Sequence, residues 1–145
     1  MSEITSRTVK VLLSLLLVLA GASVTSGPAF AVEVAQAACG DTSAFRKVAL
    51  SSLPTQATDT VRLVQRGGPY PYSQDNQTFY NREGILPACY TGYYKEYTVK
   101  TPGISTRGAR RIVTGNASPK LYFYTPDHYY TPDHYATFVV VDITR

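Results

Sequence analysis

Residues 53–69 read LPTQATDTVRLVQRGGP. Ala57, Val61 and Val64 recur at three- and four-residue spacing, which lines one face of an α-helix. Leu53-Pro54 precedes the pattern and Gly67-Gly68-Pro69 ends it, so the stretch reads as a short amphipathic helix with a single face to pack. Beyond Gly67 the composition turns to aromatic, β-branched and turn residues. Tyr93–Lys100 (YYKEYTVK), Ala109–Thr114 (ARRIVT) and Tyr135–Asp142 (YATFVVVD) read as strands. Tyr70–Asp75 and Thr101-Pro102-Gly103 read as loops and turns between them. One helix followed by a meander of strands predicts an α+β fold, with one short N-terminal helix packed on a small antiparallel β-sheet.

Upstream of the helix the chain changes character twice. Residues 32–47 mix small and polar side chains without periodicity and read as a loose N-terminal lead-in. The first 31 residues have a basic start (Arg7, Lys10), an apolar run from Val11 to Ala20, and small residues flanking Phe30. That order describes a cleaved secretory signal peptide. A membrane anchor needs about 20 apolar residues, and Ser23, Thr25, Ser26, Gly27 and Pro28 interrupt this run first. Cleavage is expected after Ala31, with Ala37 as the alternative. The expected organisation is therefore a signal peptide over 1–31, the lead-in over 32–47 and one domain over 48–145. The product would be secreted and not held by a membrane.

Removing residues 1–31 takes Arg7, Lys10 and Glu3 from 14 basic and 10 acidic residues, leaving 12 against 9. A net charge of about +3 suits an acidic partner without demanding one. The two cysteines, Cys39 and Cys89, are expected to pair in an oxidising compartment. The hexamer Tyr124-Thr125-Pro126-Asp127-His128-Tyr129 is repeated at once as residues 130–135. Two copies of six residues are too short for a solenoid. The duplication reads as a loop insertion, in which residues 124–129 form a longer flap, since doubling a loop costs only about 0.6 kcal/mol.

The chemistry legible in the chain is general acid–base work on a phosphodiester. RNA carries its own nucleophile, so an enzyme needs a base, an acid and cations for the phosphorane. No metal cluster is indicated: the two histidines sit in duplicate copies and the two cysteines lie fifty residues apart.

From about Val48 to Asp142 a series of stretches becomes specific. They are Leu53-Pro54 with Ala57–Thr60, Gly68–Asp75, Asn81-Arg82-Glu83, Gly92–Val99, Thr101–Gly103, Thr106–Arg111 and Asp133–Phe138. In these residues and their order the chain resembles the bacterial extracellular guanyl-specific ribonucleases, the barnase-related microbial ribonucleases. The resemblance implies that Glu96 is the general base and that Arg107 and Arg111 hold the scissile phosphate, for which planar paired donors are suited. Arg110 should point away from Arg111, because neighbours on a strand face opposite sides. Guanine recognition falls on Phe79, Asn81, Arg82, Glu83 and Tyr135. Glu83 can accept from both N1–H and the exocyclic amine, while Asn81 and Arg82 contribute backbone N–H groups. Phe79 and Tyr135 offer ring faces, with core packing as the competing role of each.

The implied general acid precedes a strand reading Tyr-Ala-Thr-Phe. Only His134 has that context, whereas His128 is nearer the expected spacing from Gly115; His134 is favoured and His128 is the alternative acid. Three departures stand out. Lys95 replaces a frequent histidine and would put a fixed charge beside Glu96. Tyr80 stands where a polar amide is usual. Ala49 and Arg145 occupy the positions of the usual disulfide, so that Cys39–Cys89 would be a replacement bridge.

The expected function is a secreted endoribonuclease cutting single-stranded RNA after guanine through a 2′,3′-cyclic phosphate, without cofactor. The alternative is a guanine- or RNA-binding protein of the same fold, catalytically impaired by the duplicated segment. The expected partners are single-stranded RNA and, as for related enzymes, a small acidic inhibitor protein. The expected state is a monomer.

Overall fold

The computed structural model describes residues 37–126 and 137–145. Six strands are β1 (Lys47–Ala49), β2 (Gln77–Thr78), β3 (Tyr94–Thr98), β4 (Arg111–Gly115), β5 (Leu121–Thr125) and β6 (Val139–Asp142). A single 3-10 turn (Leu50–Ser52) and the helix α1 (Thr55–Arg66) lie between β1 and β2. The strands form one sheet in the order β1-β6-β5-β4-β3-β2.

α1 forms where the apolar spacing placed it and buries Ala57, Thr60, Val61 and Val64. Thr60 is the polar member of that face, and its hydroxyl donates to the Thr98 carbonyl oxygen (2.8 Å), tying helix to sheet. The helix stops at Gly67, which takes φ 77° and ψ 24°. Its N–H reaches Val64 O (3.2 Å) and the next N–H, of Gly68, reaches Leu63 O (3.0 Å), the paired bonds of a left-handed helix terminus that favours glycine.

Both faces of the sheet are covered. Against α1 pack Tyr97, Val99, Ile112, Tyr122, Tyr124 and Val141. The other face carries Phe79, Tyr93, Tyr94, Val113, Phe123, Phe138 and Val140. The central strand β4 is buried at all five positions, as a strand covered on both sides must be. Alternation along β3 and β4, with Glu96 opposite Val113 and Thr98 opposite Arg111, sends Glu96, Thr98 and Arg111 to the face away from the helix.

The α+β class is as expected, but the sheet is mixed. β1 runs parallel to β6, pairing Lys47, Val48 and Ala49 with Val140, Val141 and Asp142. The lead-in therefore ends in a strand at Lys47, which was expected to be loose. Val140 donates to the carbonyl of Arg46 (3.0 Å), and Lys47 Nζ lies 3.8 Å from Asp142. β5 also corrects the sequence reading. Tyr124 and Thr125 do not belong to a flap: they close β5 opposite Ile112 and Arg111, and both are buried. Residues 127–136, which hold the duplicated segment from Asp127 onward, lie outside the described residues, as do 1–36. The last strand is shorter than Tyr135–Asp142 and begins at Val139, with Phe138 buried against Phe79 ahead of it.

Cys39 and Cys89 form the expected disulfide (S–S 2.06 Å, Cα–Cα 4.9 Å). It fastens the lead-in to the loop that precedes β3.

Candidate active site

Three segments meet above the open end of β3 and β4. The first is the turn Tyr72–Asp75, closed by the Asp75 N–H on the Tyr72 carbonyl (3.0 Å). Asn76 then takes φ 64°, and its N–H donates to the Glu96 carbonyl (2.9 Å), docking the turn on β3. Asp75 is thereby carried into the interior with its side chain only 3 % exposed. Its Oδ1 accepts the Thr98 N–H (2.8 Å) and the Thr98 hydroxyl (2.7 Å).

The second segment brings Arg107, whose Nε donates to Thr98 Oγ1 (2.6 Å). Its Nη2 lies 3.6 Å from Asp75 Oδ1 and 3.4 Å from Glu96 Oε2. The third brings Arg111, 1 % exposed, with Nε 3.5 Å from the same Glu96 oxygen. Arg111 Nη1 is anchored by the carbonyls of Gly108 (2.7 Å) and Arg110 (2.8 Å). Gly108 has φ 69°, and a Cβ there would stand 2.9 Å from Ile104 Cδ1 and 3.0 Å from Thr101 Oγ1, so the anchoring turn calls for glycine on both counts. Arg110 lies on the opposite side, where it offsets part of the rise that burial causes in the Tyr124 pKa.

Two guanidinium groups thus converge on one carboxylate, with Asp75 as a second counter-charge behind Arg107. The Glu96 contacts are longer than tight charge-assisted hydrogen bonds of about 2.7–2.9 Å. Both cations can therefore exchange a long Glu96 contact for an arriving phosphate oxygen while Thr98, Gly108 and Arg110 keep them in place through their short bonds.

Beside this cluster lies a cavity of about 320 Å³ lined by Thr78, Phe79, Tyr80, Asn81, Arg82, Glu83 and Glu96. Its loop is built from the sequence Asn81-Arg82-Glu83-Gly84. The Gly84 N–H closes a turn on the Asn81 carbonyl (2.9 Å), with Asn81 at φ 50° and Gly84 at φ 64°. The Asn81 side chain imitates a strand partner: Nδ2 donates to Leu86 O (2.8 Å) and Oδ1 accepts Leu86 N–H (3.0 Å). With its amide so engaged, Asn81 offers a ligand its backbone. Arg82 and Glu83 are exposed at the rim. Phe79 is buried, edge-on to Tyr94 (6.5 Å) and Phe138 (5.9 Å), so it serves the core while lining the cavity.

The structure therefore brings together Glu96, Arg107, Arg111, Phe79, Asn81, Arg82 and Glu83. His128, His134 and Tyr135 lie outside the described residues. Lys95 does not stand beside Glu96: it alternates to the helix side of β3, where Nζ lies 3.3 Å from Thr78 Oγ1. Sequence reasoning missed Asp75 and Thr98. An aspartate at the end of a turn-rich stretch is ordinary loop chemistry, and nothing in its neighbours signals that the turn folds inward. Among the described residues no group of three or more His, Cys, Asp or Glu side chains is placed to hold a metal ion.

Comparison with known proteins places these features in context. The model of a family described as ribonuclease matches residues 36–142. The chain is similar to guanyl-specific ribonuclease St of Saccharopolyspora erythraea, 60 % identical over 94 residues, covering 65 % of this chain and 91 % of that protein. It is also similar to guanyl-specific ribonuclease Sa of Kitasatospora aureofaciens, 56 % identical over 97 residues, covering 67 % of this chain and 94 % of that one. Among solved structures it resembles ribonuclease Sa2 with guanosine-2′-cyclophosphate, with TM-score 0.59 and 44 % identity over 68 % of this chain and 97 % of the other.

Proposed function

The chain belongs to the microbial ribonuclease family, and from that premise we propose that it is an endoribonuclease that cuts single-stranded RNA after guanine. The observation that carries the proposal is the placement of Glu83 and Glu96 in one cavity, with Arg107 and Arg111 within 3.5 Å of Glu96. Glu83 accepts from guanine N1–H and the exocyclic amine, a pair of donors that adenine lacks. Backbone N–H groups of the Asn81 loop address the opposite edge of the base. An unpaired carboxylate opposite the wrong base is costly, which makes discrimination steep.

In the first step Glu96 takes the 2′-hydroxyl proton and the 2′-oxygen attacks phosphorus. Arg107 and Arg111 hold the phosphate oxygens as negative charge accumulates on them. The leaving 5′-oxygen takes a proton from a histidine of the duplicated segment, His134 in the favoured assignment and His128 in the alternative. The products are a 2′,3′-cyclic phosphate and a free 5′-hydroxyl. In the second step the histidine activates water, Glu96 returns a proton to the 2′-oxygen, and a 3′-phosphate remains. Tyr135 supplies a ring face to the bound guanine. The basic N-terminal pattern over residues 1–31 supports export of the enzyme.

The test is turnover of GpC, ApC and UpC in excess chelator, read as cyclic phosphate release. Fast cleavage of GpC alone is expected. His134→Ala should abolish it and His128→Ala should spare it; the reverse result would move the acid to the first copy. Guanosine monophosphate binding without any turnover would make the chain a binding protein of the same fold.

A further inference from the structure

The cavity read as the guanine site shares a wall with a second recess that the mechanism leaves unused. This recess holds about 210 Å³ and runs from Phe79, Tyr80 and Asn81 to Tyr90, Thr91 and Tyr94. Phe79, Tyr80 and Asn81 belong to both cavities, whereas Glu96 and Glu83 line only the first. No charged side chain lines the second.

Its two margins are the most exposed aromatic rings among the described residues, Tyr80 at 63 % and Tyr90 at 62 %. Neither fills the core, yet both are held. The Arg82 guanidinium stands 5.4 Å from the Tyr80 ring centroid. The Tyr90 hydroxyl accepts from Asn116 Nδ2 (3.0 Å), and its ring meets Tyr93 edge-on at 5.5 Å. The Tyr93 N–H closes a turn on the Tyr90 carbonyl (3.0 Å), and Cys89, bonded to Cys39, fixes the chain immediately before it. Exposed rings fixed in advance of binding lose little freedom when a flat partner arrives, which is the requirement of a stacking platform.

We propose that this recess is a subsite for the nucleobase immediately 5′ of the guanosine. The inference rests on the assignment of the first cavity to guanine. Direction follows from connectivity. The 3′ side of a bound guanosine must enter the Glu96, Arg107 and Arg111 cluster, and none of those residues lines the second recess. A base occupying it therefore belongs to the nucleotide on the other side of the guanosine. The uncharged lining, with an exposed ring at each margin, predicts stacking on Tyr90 and Tyr80 with little preference among bases.

The decisive measurement is equilibrium binding, which does not depend on turnover. Guanosine 3′-monophosphate is compared with the dinucleotide ApGp and with an analogue of ApGp whose upstream nucleotide is abasic. ApGp should bind about tenfold more tightly than guanosine 3′-monophosphate, within the range that base–aromatic stacking spans. The abasic analogue should gain little, and UpGp should gain nearly as much as ApGp. Tyr90→Leu should remove the gain while leaving guanosine 3′-monophosphate binding unchanged, and Tyr90→Phe should keep most of it. Equal binding of ApGp and the mononucleotide, an equal gain for the abasic analogue, or a gain that survives Tyr90→Leu would each overturn the subsite. Failure of guanosine 3′-monophosphate to bind better than its adenosine counterpart would instead overturn the guanine assignment and the subsite together.

Discussion

Asp75→Asn tests how the site is assembled. The substitution keeps the shape of the side chain and removes its charge. In the native protein Asp75 Oδ1 accepts two hydrogen bonds from Thr98 at 2.7–2.8 Å and faces Arg107 at 3.6 Å, almost wholly buried. Hydrogen bonds to a charged group contribute about 1.5–3 kcal/mol each. Breaking a buried ion pair costs about 3–5 kcal/mol. These two figures describe one set of contacts and do not add. Arg107 keeps Glu96 as a partner at 3.4 Å, so the lower end applies, a loss of about 3 kcal/mol. In a domain of this size that lowers Tm by roughly 15 °C. The variant should also lose activity well below its own Tm, because Arg107 is drawn toward Glu96 and the base is more firmly paired; a fall in kcat of about tenfold corresponds to 1.4 kcal/mol. Thermal unfolding followed by circular dichroism and GpC turnover at 15 °C measure the two effects. A Tm within 3 °C of the native protein would refute the reading of Asp75 as the charged anchor of Arg107.

Glu96→Gln should lower kcat for GpC by at least about a hundredfold, the contribution of a positioned general base, with guanosine 3′-monophosphate affinity little changed. Gly108→Ala forces a side chain into φ 69° and against Ile104 and Thr101, displacing the carbonyl that anchors Arg111; stability should fall by about 1–2 kcal/mol and kcat should fall with it. Alkaline titration should weaken the fold. Burial pushes the Tyr94 and Tyr97 hydroxyls up to about 12 from an ordinary value of 10. The stability they contribute is complete below pH 10 and is lost as pH rises from 10 through 12, so urea midpoints should be level between pH 8 and 9 and decline above pH 10.

The helix was fully legible because its signals are local. Ala57, Val61 and Val64 are spaced for one face, Gly67 supplies the left-handed terminus, and both facts operate whatever the chain does elsewhere. The strands were legible in proportion to their alternation. Tyr94–Thr98 and Arg111–Gly115 sit where the pattern put them within two residues. β1, β2 and β5 were not read as strands: the first two are three and two residues long, carry no period of their own and exist only through pairing with β6 and β3, and the end of β5 was read as part of the duplicated hexamer. The parallel register of β1 is likewise a property of its partner: Val140 and Arg46 are almost a hundred residues apart, and no local pattern joins them.

The duplicated hexamer shows why a repeat in the sequence is a poor guide to where an element ends. Read as a unit, residues 124–129 suggest an insertion loop. In the fold, Tyr124 packs in the cluster against α1 and Thr125 faces Arg111 across the ladder, so the first two letters of the unit are sheet and buried. Register decides this, because β5 must continue as far as β4 offers partners, and β4 begins at Arg111. The same logic governs the site. Glu96 and Arg111 were singled out because the residues around them resemble a known series. Asp75 lies in the same series, at the end of Gly68–Asp75, but nothing there shows its role, which lies in contacts with Thr98 and Arg107 that exist only once the turn has folded onto β3. Residues proposed to meet the substrate stand in a recognisable order along the chain. The residues that hold them in place answer only to geometry, which any turn able to bring a buried carboxylate to Thr98 would satisfy.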